Sequence, residues 1–344
     1  MTHHPSAPHG TAWCIAPPGG YPPTMPRSTS KPAPALRPHA LPAARRRAVQ
    51  RRLLDWYDAH AQPFPWRTAR DPYAALVAAV CAQQTQMSRV LEVYGRWMAA
   101  FPTLAVLARA DRAAVLQTWG RAGYPRRAVA LQEAARRCMQ EHGGALPRDA
   151  ESLLALPGVG PFTAAIVRTF GFNDDAPAVD TNIVRLVGRL VFGDLQPARD
   201  TRRAEVEAAT AALFPPGEGA RWNPALMDFG ARVCTPRPHC EVCVVASMCA
   251  ARPRFAAGEV AQPVRAQATF EGSDRQTRGR VMQVLRDAAD EPSGTDVALA
   301  TLARRAGATT TEERARVRIL LGRLAEEGLA WTDGRRAGLG QPPS

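Results

Sequence analysis

The sequence predicts an all-α protein with a small C-terminal unit of three helices and a hairpin. Three observations predict it. From Arg45 to about residue 250, apolar residues recur at helical spacing in segments punctuated by Pro and Gly. Strand-type alternation is scarce over the same stretch. A hairpin-turn signal, Asp333-Gly334, stands between short apolar runs near the C-terminal end. The 344 residues suit two or three domains, and a hydrophobic content of 46% is enough for a sizeable core. No apolar run reaches the roughly 18 residues that a membrane-spanning helix requires, which excludes an integral membrane protein of that kind.

Residues 1–44 are rich in Pro, Ala, Ser and His and contain no acid, so they bury too little apolar surface to offset their ordering entropy and are expected to be a disordered basic tail. Leu53, Leu54, Trp56 and Tyr57 give the first helix an apolar side before the Pro63–Pro65 break. Further helices are expected over 72–83, 88–100, 111–117 and 126–141, then over Ala150–Ala155, Thr163–Phe170 and Ile183–Val191. Residues 256–272 read as a linker. The C-terminal unit, 273–340, predicts helices over Arg275–Ala289, Asp296–Ala306 and Thr311–Glu327, the last opened by a Thr-Thr-Glu-Glu capping signal. With the Ala330–Leu339 hairpin, this makes a winged-helix-like unit.

The net charge is +13, but eight cations and no acid lie within residues 1–52, so the body is only mildly basic. A polyanionic partner such as DNA is compatible with this charge without being proved by it. Lys31 is the only lysine, so the folded body has no side-chain amine.

Three motifs carry chemistry. Leu156-Pro157-Gly158-Val159-Gly160-Pro161 joins two helical stretches. Gly158 and Gly160 allow a tight turn and close approach, and the following helix start offers N–H groups to a phosphate. In Ala178-Val179-Asp180-Thr181-Asn182, Asp180 is either a helix cap or a buried anion facing a developing cation. Cys234, Cys240, Cys243 and Cys249 crowd into 16 residues, a set suited to an iron–sulfur cluster or to zinc in a reducing compartment.

Together with Pro65-Trp66-Arg67, Asp71-Pro72-Tyr73, Gln83-Gln84-Thr85-Gln86, Gly123-Tyr124 and Met227-Asp228-Phe229-Gly230, these motifs resemble the helix-hairpin-helix DNA glycosylases of base-excision repair, the superfamily of endonuclease III and the A/G-specific adenine glycosylases. The resemblance runs from about Leu53 to Cys249. It implies a bilobal all-helical fold: a six-helix lobe over 72–181 carrying the hairpin, and a second lobe from 45–71 and 182–255 holding a 4Fe–4S cluster on the four cysteines. It also implies a monomer acting on double-stranded DNA with a damaged or mismatched base, in the bacterial cytoplasm at the nucleoid and away from membranes. Asp180 becomes the catalytic carboxylate, with Arg67 and Asn182 supporting it. Gly158, Gly160, Gln83, Gln84, Tyr124 and Arg237 become DNA contacts.

The chain departs from this pattern in its cysteine spacing, with five residues rather than six between Cys234 and Cys240, and at two active-site positions. Adenine glycosylases carry a Glu four residues before Gln-Gln-Thr, where this chain has Ala79, and a methyl group cannot deliver a proton to a leaving purine. The hairpin position of the endonuclease III lysine, often Tyr or Ser elsewhere in the family, is Phe162. The expected function is therefore a monofunctional glycosylase without lysine-dependent strand cleavage. The alternatives are a catalytically impaired lesion or abasic-site binder, or a sequence-specific DNA-binding protein.

Overall fold

The computed structural model describes residues 41–197, 203–261, 269–291 and 296–342. The expected disordered tail over residues 1–40 and the centre of the expected linker, 262–268, lie outside the described residues. Residues 41–44, assigned from sequence to the tail, are already structured: the first helix, α1, spans Ala43–His60, and Leu41 packs against the core that α1 helps to form.

The chain continues through α2 (Pro65–Thr68), α3 (Pro72–Ala82), α4 (Met87–Ala100), α5 (Leu104–Arg109), α6 (Arg112–Trp119), α7 (Arg126–Glu141), α8 (Ala150–Ala155) and α9 (Pro161–Ile166). Local chemistry sets the starts. Asp71, Asp111 and Asp149 accept backbone N–H groups of the first turns of α3, α6 and α8, and Thr103 caps α5 in the same way. Tyr73 through Cys81 are all buried, so α3 has no solvent face and runs through the middle of its lobe. Around it pack Trp97, Trp119, Leu107, Leu131 and Leu153 from the neighbouring helices. The lobe holds seven helical segments, α3–α9, rather than the expected six; the additional one is the short α5.

A second core forms from α1, α10 (Thr181–Val187), α11 (Arg203–Ala212), α12 (Gly219–Arg232) and the cysteine loop that precedes α13 (Arg252–Ala256). Leu53, Ile183, Leu190, Val206, Trp222 and Phe229 meet there. Helices α9 and α10 each run on into a π-helical turn, Val167–Gly171 and Gly188–Phe192.

The C-terminal unit consists of α14 (Asp274–Asp290), β1 (Asp296–Ala298), α15 (Leu299–Arg305), α16 (Thr311–Glu326), β2 (Ala330–Thr332) and β3 (Arg336–Leu339). Its three strands pair antiparallel in the order β1-β3-β2. Thr310 and Glu313 form a reciprocal capping box at the start of α16. One sequence expectation is corrected here. Asp296–Ala298 are strand, not the first turn of a helix, because Val297 pairs with Ala337 and Arg336 holds Asp296 across the ladder. The helix begins only at Leu299. The unit is docked on the first lobe: fully buried Leu116 of α6 belongs to its core, Gln117 Nε2 donates to Asp290 (2.9 Å) and Arg121 Nε donates to Gln283 (2.8 Å).

Candidate active site

Asp180 stands at the N-terminus of α10. One carboxylate oxygen accepts the Ile183 backbone N–H at 2.7 Å, and the other accepts Asn182 Nδ2 at 2.8 Å. The cap reading of the sequence therefore describes the geometry, yet it leaves the charge in an unusual setting. Burial pushes the Asp180 carboxyl above its ordinary value, outweighing the hydrogen bonds from Ile183 and Asn182 and the pull of Arg185. An ordinary exposed cap carboxylate, such as Asp149, moves the other way.

The segment leading to Asp180 is held by buried Asn223 of α12. Its Nδ2 donates to Ala176 O (2.8 Å) and Thr169 Oγ1 (3.0 Å), and its Oδ1 accepts from Ala178 N (3.1 Å). Behind Asp180, Arg185 Nη2 donates to Asn182 Oδ1 (2.8 Å) and Gly230 O (2.6 Å), while its Nε donates to Cys234 O (2.7 Å). Hydrogen bonds thus connect the carboxylate to the backbone of the first clustered cysteine. Gly230 is required by close approach, since a Cβ there would meet Asn182 Cβ at 2.9 Å.

An apolar surface includes Ala178, two residues before this carboxylate in the chain. Ala79, Ala75, Ala165, Ile166 and Ala178 pack together, with Phe162 and Met227 against them. Ala79 and Phe162, the two positions where the family pattern has polar residues, are thus part of one hydrophobic surface. Arg67 is not joined to Asp180; its guanidinium grips Asp228 of α12 through two bonds of 2.8 and 2.7 Å, with both side chains nearly buried. Arg67, expected from the sequence to support Asp180, makes its side-chain ion pair with Asp228.

The hairpin places Gly158 at φ +76°, and a Cβ there would sit 2.8 Å from Ala130 Cβ of α7. Gly160 caps α9 with no side chain nearby. Gln83 ends α3, while Gln84 and Tyr124 both adopt left-handed backbone, φ +52° and +47°, which non-glycine residues rarely do. Tyr124 is half exposed, whereas Trp66 and Trp119 are core. Arg127, which no local sequence signal marks, ties these loops together. Its Nη1 donates to Val80 O (3.0 Å) and Gln83 O (2.5 Å), its Nη2 donates to Gly123 O (3.2 Å), and its guanidinium stacks on Trp119 and Tyr124. Arg237 is exposed at the tip of the cysteine loop.

Cys234, Cys240, Cys243 and Cys249 line one cavity with Arg189 and Arg252. Among the described residues, no three His, Cys, Asp or Glu side chains converge tightly enough to hold a single metal ion. Four thiols lining one cavity are a donor set that suits an iron–sulfur cluster or a tetrahedral zinc. Burial pushes the Cys243 thiol up to about 12 and raises Cys240 and Cys249, so thiolates here need positive charge close by. Arg189 is buried, donates to Thr235 O (2.6 Å) and Pro236 O (3.0 Å), and lies 3.5 Å from Cys234 Sγ. It was not singled out from the sequence.

Residues 77–212 match the family model described as HhH-GPD superfamily base excision DNA repair protein. An adenine DNA glycosylase of Mycolicibacterium smegmatis is 40% identical over 238 residues, covering 68% of this chain and 79% of that protein. A thymine/uracil-DNA glycosylase of Methanothermobacter thermautotrophicus is 31% identical over 199 residues, covering 57% of this chain and 90% of that protein. The solved structure of a thermostable thymine-DNA glycosylase superposes with a TM-score of 0.57 at 29% identity, over 61% of this chain and 98% of that one. Endonuclease III in a trapped covalent complex with DNA shares the fold, with a TM-score of 0.53 at 24% identity over 61% of this chain and 98% of that one. With the hairpin, the desolvated carboxylate and the cysteine cavity on one helical framework, the chain belongs to the HhH-GPD superfamily of base excision DNA repair proteins.

Proposed function

We propose that the protein is a monofunctional DNA glycosylase that removes a mismatched or damaged pyrimidine from duplex DNA. The observation that carries this reading is Asp180, a carboxylate held by two donors while burial raises its pKa. In such a dry setting a fixed anion stabilises the positive charge that grows on the deoxyribose as the base departs. The C1′–N bond breaks with its electron pair on the base. Water then supplies hydroxide to C1′ and a proton to the base.

The choice of base follows from the apolar surface. With Ala79 and Phe162 in the hydrophobic surface, neither position offers a proton to a departing purine. A pyrimidine that leaves as a stabilised anion needs less acid help. The thymine/uracil-DNA glycosylase relative and the thymine-DNA glycosylase structure support that substrate class, while the adenine glycosylase relatives support the alternative of an adenine enzyme with a relocated acid. Phe162 and the lack of any lysine beyond Lys31 leave no side-chain amine for a Schiff base, so borohydride is expected to trap no adduct with the folded body.

The flipped base would lie between the two helical lobes, with Gly158 and Gly160 on the phosphates and Gln83, Gln84 and Tyr124 filling the vacated stack. Asn182 supports Asp180 by its hydrogen bond. Arg237 at the exposed loop tip meets the backbone. Cys234, Cys240, Cys243 and Cys249 would hold a 4Fe–4S cluster, with Arg189 and Arg252 offsetting its negative charge. When bound, such a cluster supplies a covalent staple and one-electron redox chemistry. Among the described residues no helix is long and apolar enough to cross a membrane, and a monomer working in the bacterial cytoplasm on the nucleoid is the setting that suits this chemistry.

The deciding experiment is single-turnover excision on duplexes carrying thymine or uracil opposite guanine, oxidised pyrimidines, or adenine opposite oxidised guanine. Asp180→Asn is expected to lower the excision rate roughly 10²–10³-fold with duplex affinity retained. Ala79→Glu is expected to raise adenine excision. If the wild-type protein binds abasic duplex tightly but excises none of these bases, the lesion-binder reading, which the loss of polar residues at Ala79 and Phe162 favours, replaces the enzyme.

A further inference from the structure

Where the C-terminal unit meets the first lobe, α4, α6 and α14 enclose an open cleft of about 300 Å³. Arg89, Arg96, Arg121 and Arg286 line it, against two carboxylates, Glu92 and Asp290. Glu92 is paired with cations, whereas Asp290 is held by a neutral amide and keeps its charge in the cleft. Glu92 accepts from Arg89 (2.9 Å) and Arg96 (3.2 Å), and Asp290 accepts from Gln117 (2.9 Å). Among the described residues, Arg121 is bonded in the cleft to the neutral amide of Gln283 (2.8 Å). Arg286 Nε is buried with no hydrogen-bond partner among the described residues. The nearby carboxylate of Asp287 is itself bonded to Gln283 (2.6 Å).

Two guanidiniums thus line one polar cleft without a bonded carboxylate. Burial and the neighbouring Arg121 both disfavour the charge on Arg286, and a bound anion would relieve both effects. Guanidinium forks match the oxygens of a tetrahedral oxyanion. Arg121 also begins the turn that continues through Gly123 to Tyr124, so the cleft opens beside the loop proposed to enter the DNA stack.

We infer that this cleft binds a phosphate group between Arg121 of the first lobe and Arg286 of the C-terminal unit. The source is either a backbone phosphate of the duplex beyond Tyr124 or a free phosphate compound. The inference goes beyond the glycosylase reading and borrows from it only the duplex. No excised base is needed to test it.

The test compares wild-type protein with Arg286→Gln and Arg121→Gln, using Arg318→Gln on the exposed face of α16 as a control. Affinity for a duplex with one abasic-site analogue is measured across a salt series, and inorganic phosphate and pyrophosphate are titrated by calorimetry without DNA. If the phosphate belongs to DNA, Arg286→Gln weakens binding by about 3–10-fold at low salt, and the slope of log affinity against log salt shrinks by about one. The control keeps the full slope. If it belongs to a free compound, inorganic phosphate or pyrophosphate binds wild type and loses binding in both cleft variants, with the duplex slope unchanged. Equal slopes together with no phosphate or pyrophosphate binding to folded wild-type protein overturn the inference. Melting curves of each variant verify that it is folded, and because the readouts need no catalysis, failure here is distinct from failure of the glycosylase reading.

Discussion

Asp180 performs a structural task at an electrostatic disadvantage. As the cap of α10 it accepts two hydrogen bonds, which an asparagine could partly reproduce. The buried negative charge is what asparagine would not reproduce, and that charge is what a glycosylase needs. Because the folded-state pKa is raised, the folded protein holds this proton more tightly than the unfolded chain does. The resulting stability is full below the unfolded carboxyl value and is lost as pH rises through the raised folded value. At neutral pH the ionised group therefore weakens the fold. Asp180→Asn is expected to melt at a higher temperature than wild type at pH 7, and the gap should narrow as the pH falls toward about 4. Excision by wild type should rise with pH over the same window. Thermal melts of both proteins from pH 4 to 8 check the first point. A variant less stable than wild type throughout would mean that the cap, rather than the desolvated charge, governs this position.

At the scale of elements, two strained turns share one anchor. Gln84 follows α3 and Tyr124 precedes α7, both in left-handed backbone, and Arg127 of α7 donates to carbonyls beside each. Burial lowers the Arg127 pKa, yet its charge is spread over carbonyl dipoles and two aromatic faces. Arg127→Ala would take one donor from each of those carbonyls, which keep Gln83 N, Thr85 Oγ1 and Trp119 Nε1, and would release the tie between the two turns, at a cost of about 1–2 kcal/mol in stability. It is expected to reduce base flipping, read with 2-aminopurine fluorescence in the duplex, more than it reduces binding to undamaged DNA. Arg127→Lys should recover stability in part but not the stacking on Tyr124. This hub also shows where sequence reading stops. The Thr310 capping box, the Asp333-Gly334 turn and the cysteine spacing are legible because their chemistry is local. Arg127, Arg185 and Asn223 look like ordinary polar residues of a helix, since the partners that define them lie more than 40 residues away in the chain. Strand β1 was missed for the same reason: its pairing partner, β3, follows about 40 residues later. Arg67 was legible as a site-region residue, but only packing reveals that Asp228 claims it.

At the scale of the whole molecule, the cysteine loop closes the second lobe. It is short of helix and holds few large side chains, so little hydrophobic burial stabilises it directly. What fixes it is a set of polar ties from distant elements. Arg45 of α1 reaches Met248 O, Arg52 of α1 donates to Val244 O (3.0 Å), Arg189 after α10 donates to Thr235 O and Pro236 O, and Arg185 donates to Cys234 O. These ties are distributed over α1 and α10, whose apolar faces build the core around Leu53 and Ile183. A cluster bound to the four thiolates would cross-link the loop and, through the ties, restrain both helices and the α10 terminus that carries Asp180. Purified protein is therefore expected to be brown, to contain iron and sulfide, and to lose stability on chelation under reducing conditions. Limited proteolysis of the iron-depleted protein should cut first between Cys234 and Arg252, while the lobe built on α3 stays intact because its core of Trp97, Trp119 and Leu131 contains no part of the loop. A colourless protein whose melting temperature and proteolytic pattern do not change on chelation would show that the loop closes without iron, and that the polar ties and hydrogen bonds around Asp180 hold it without a cluster.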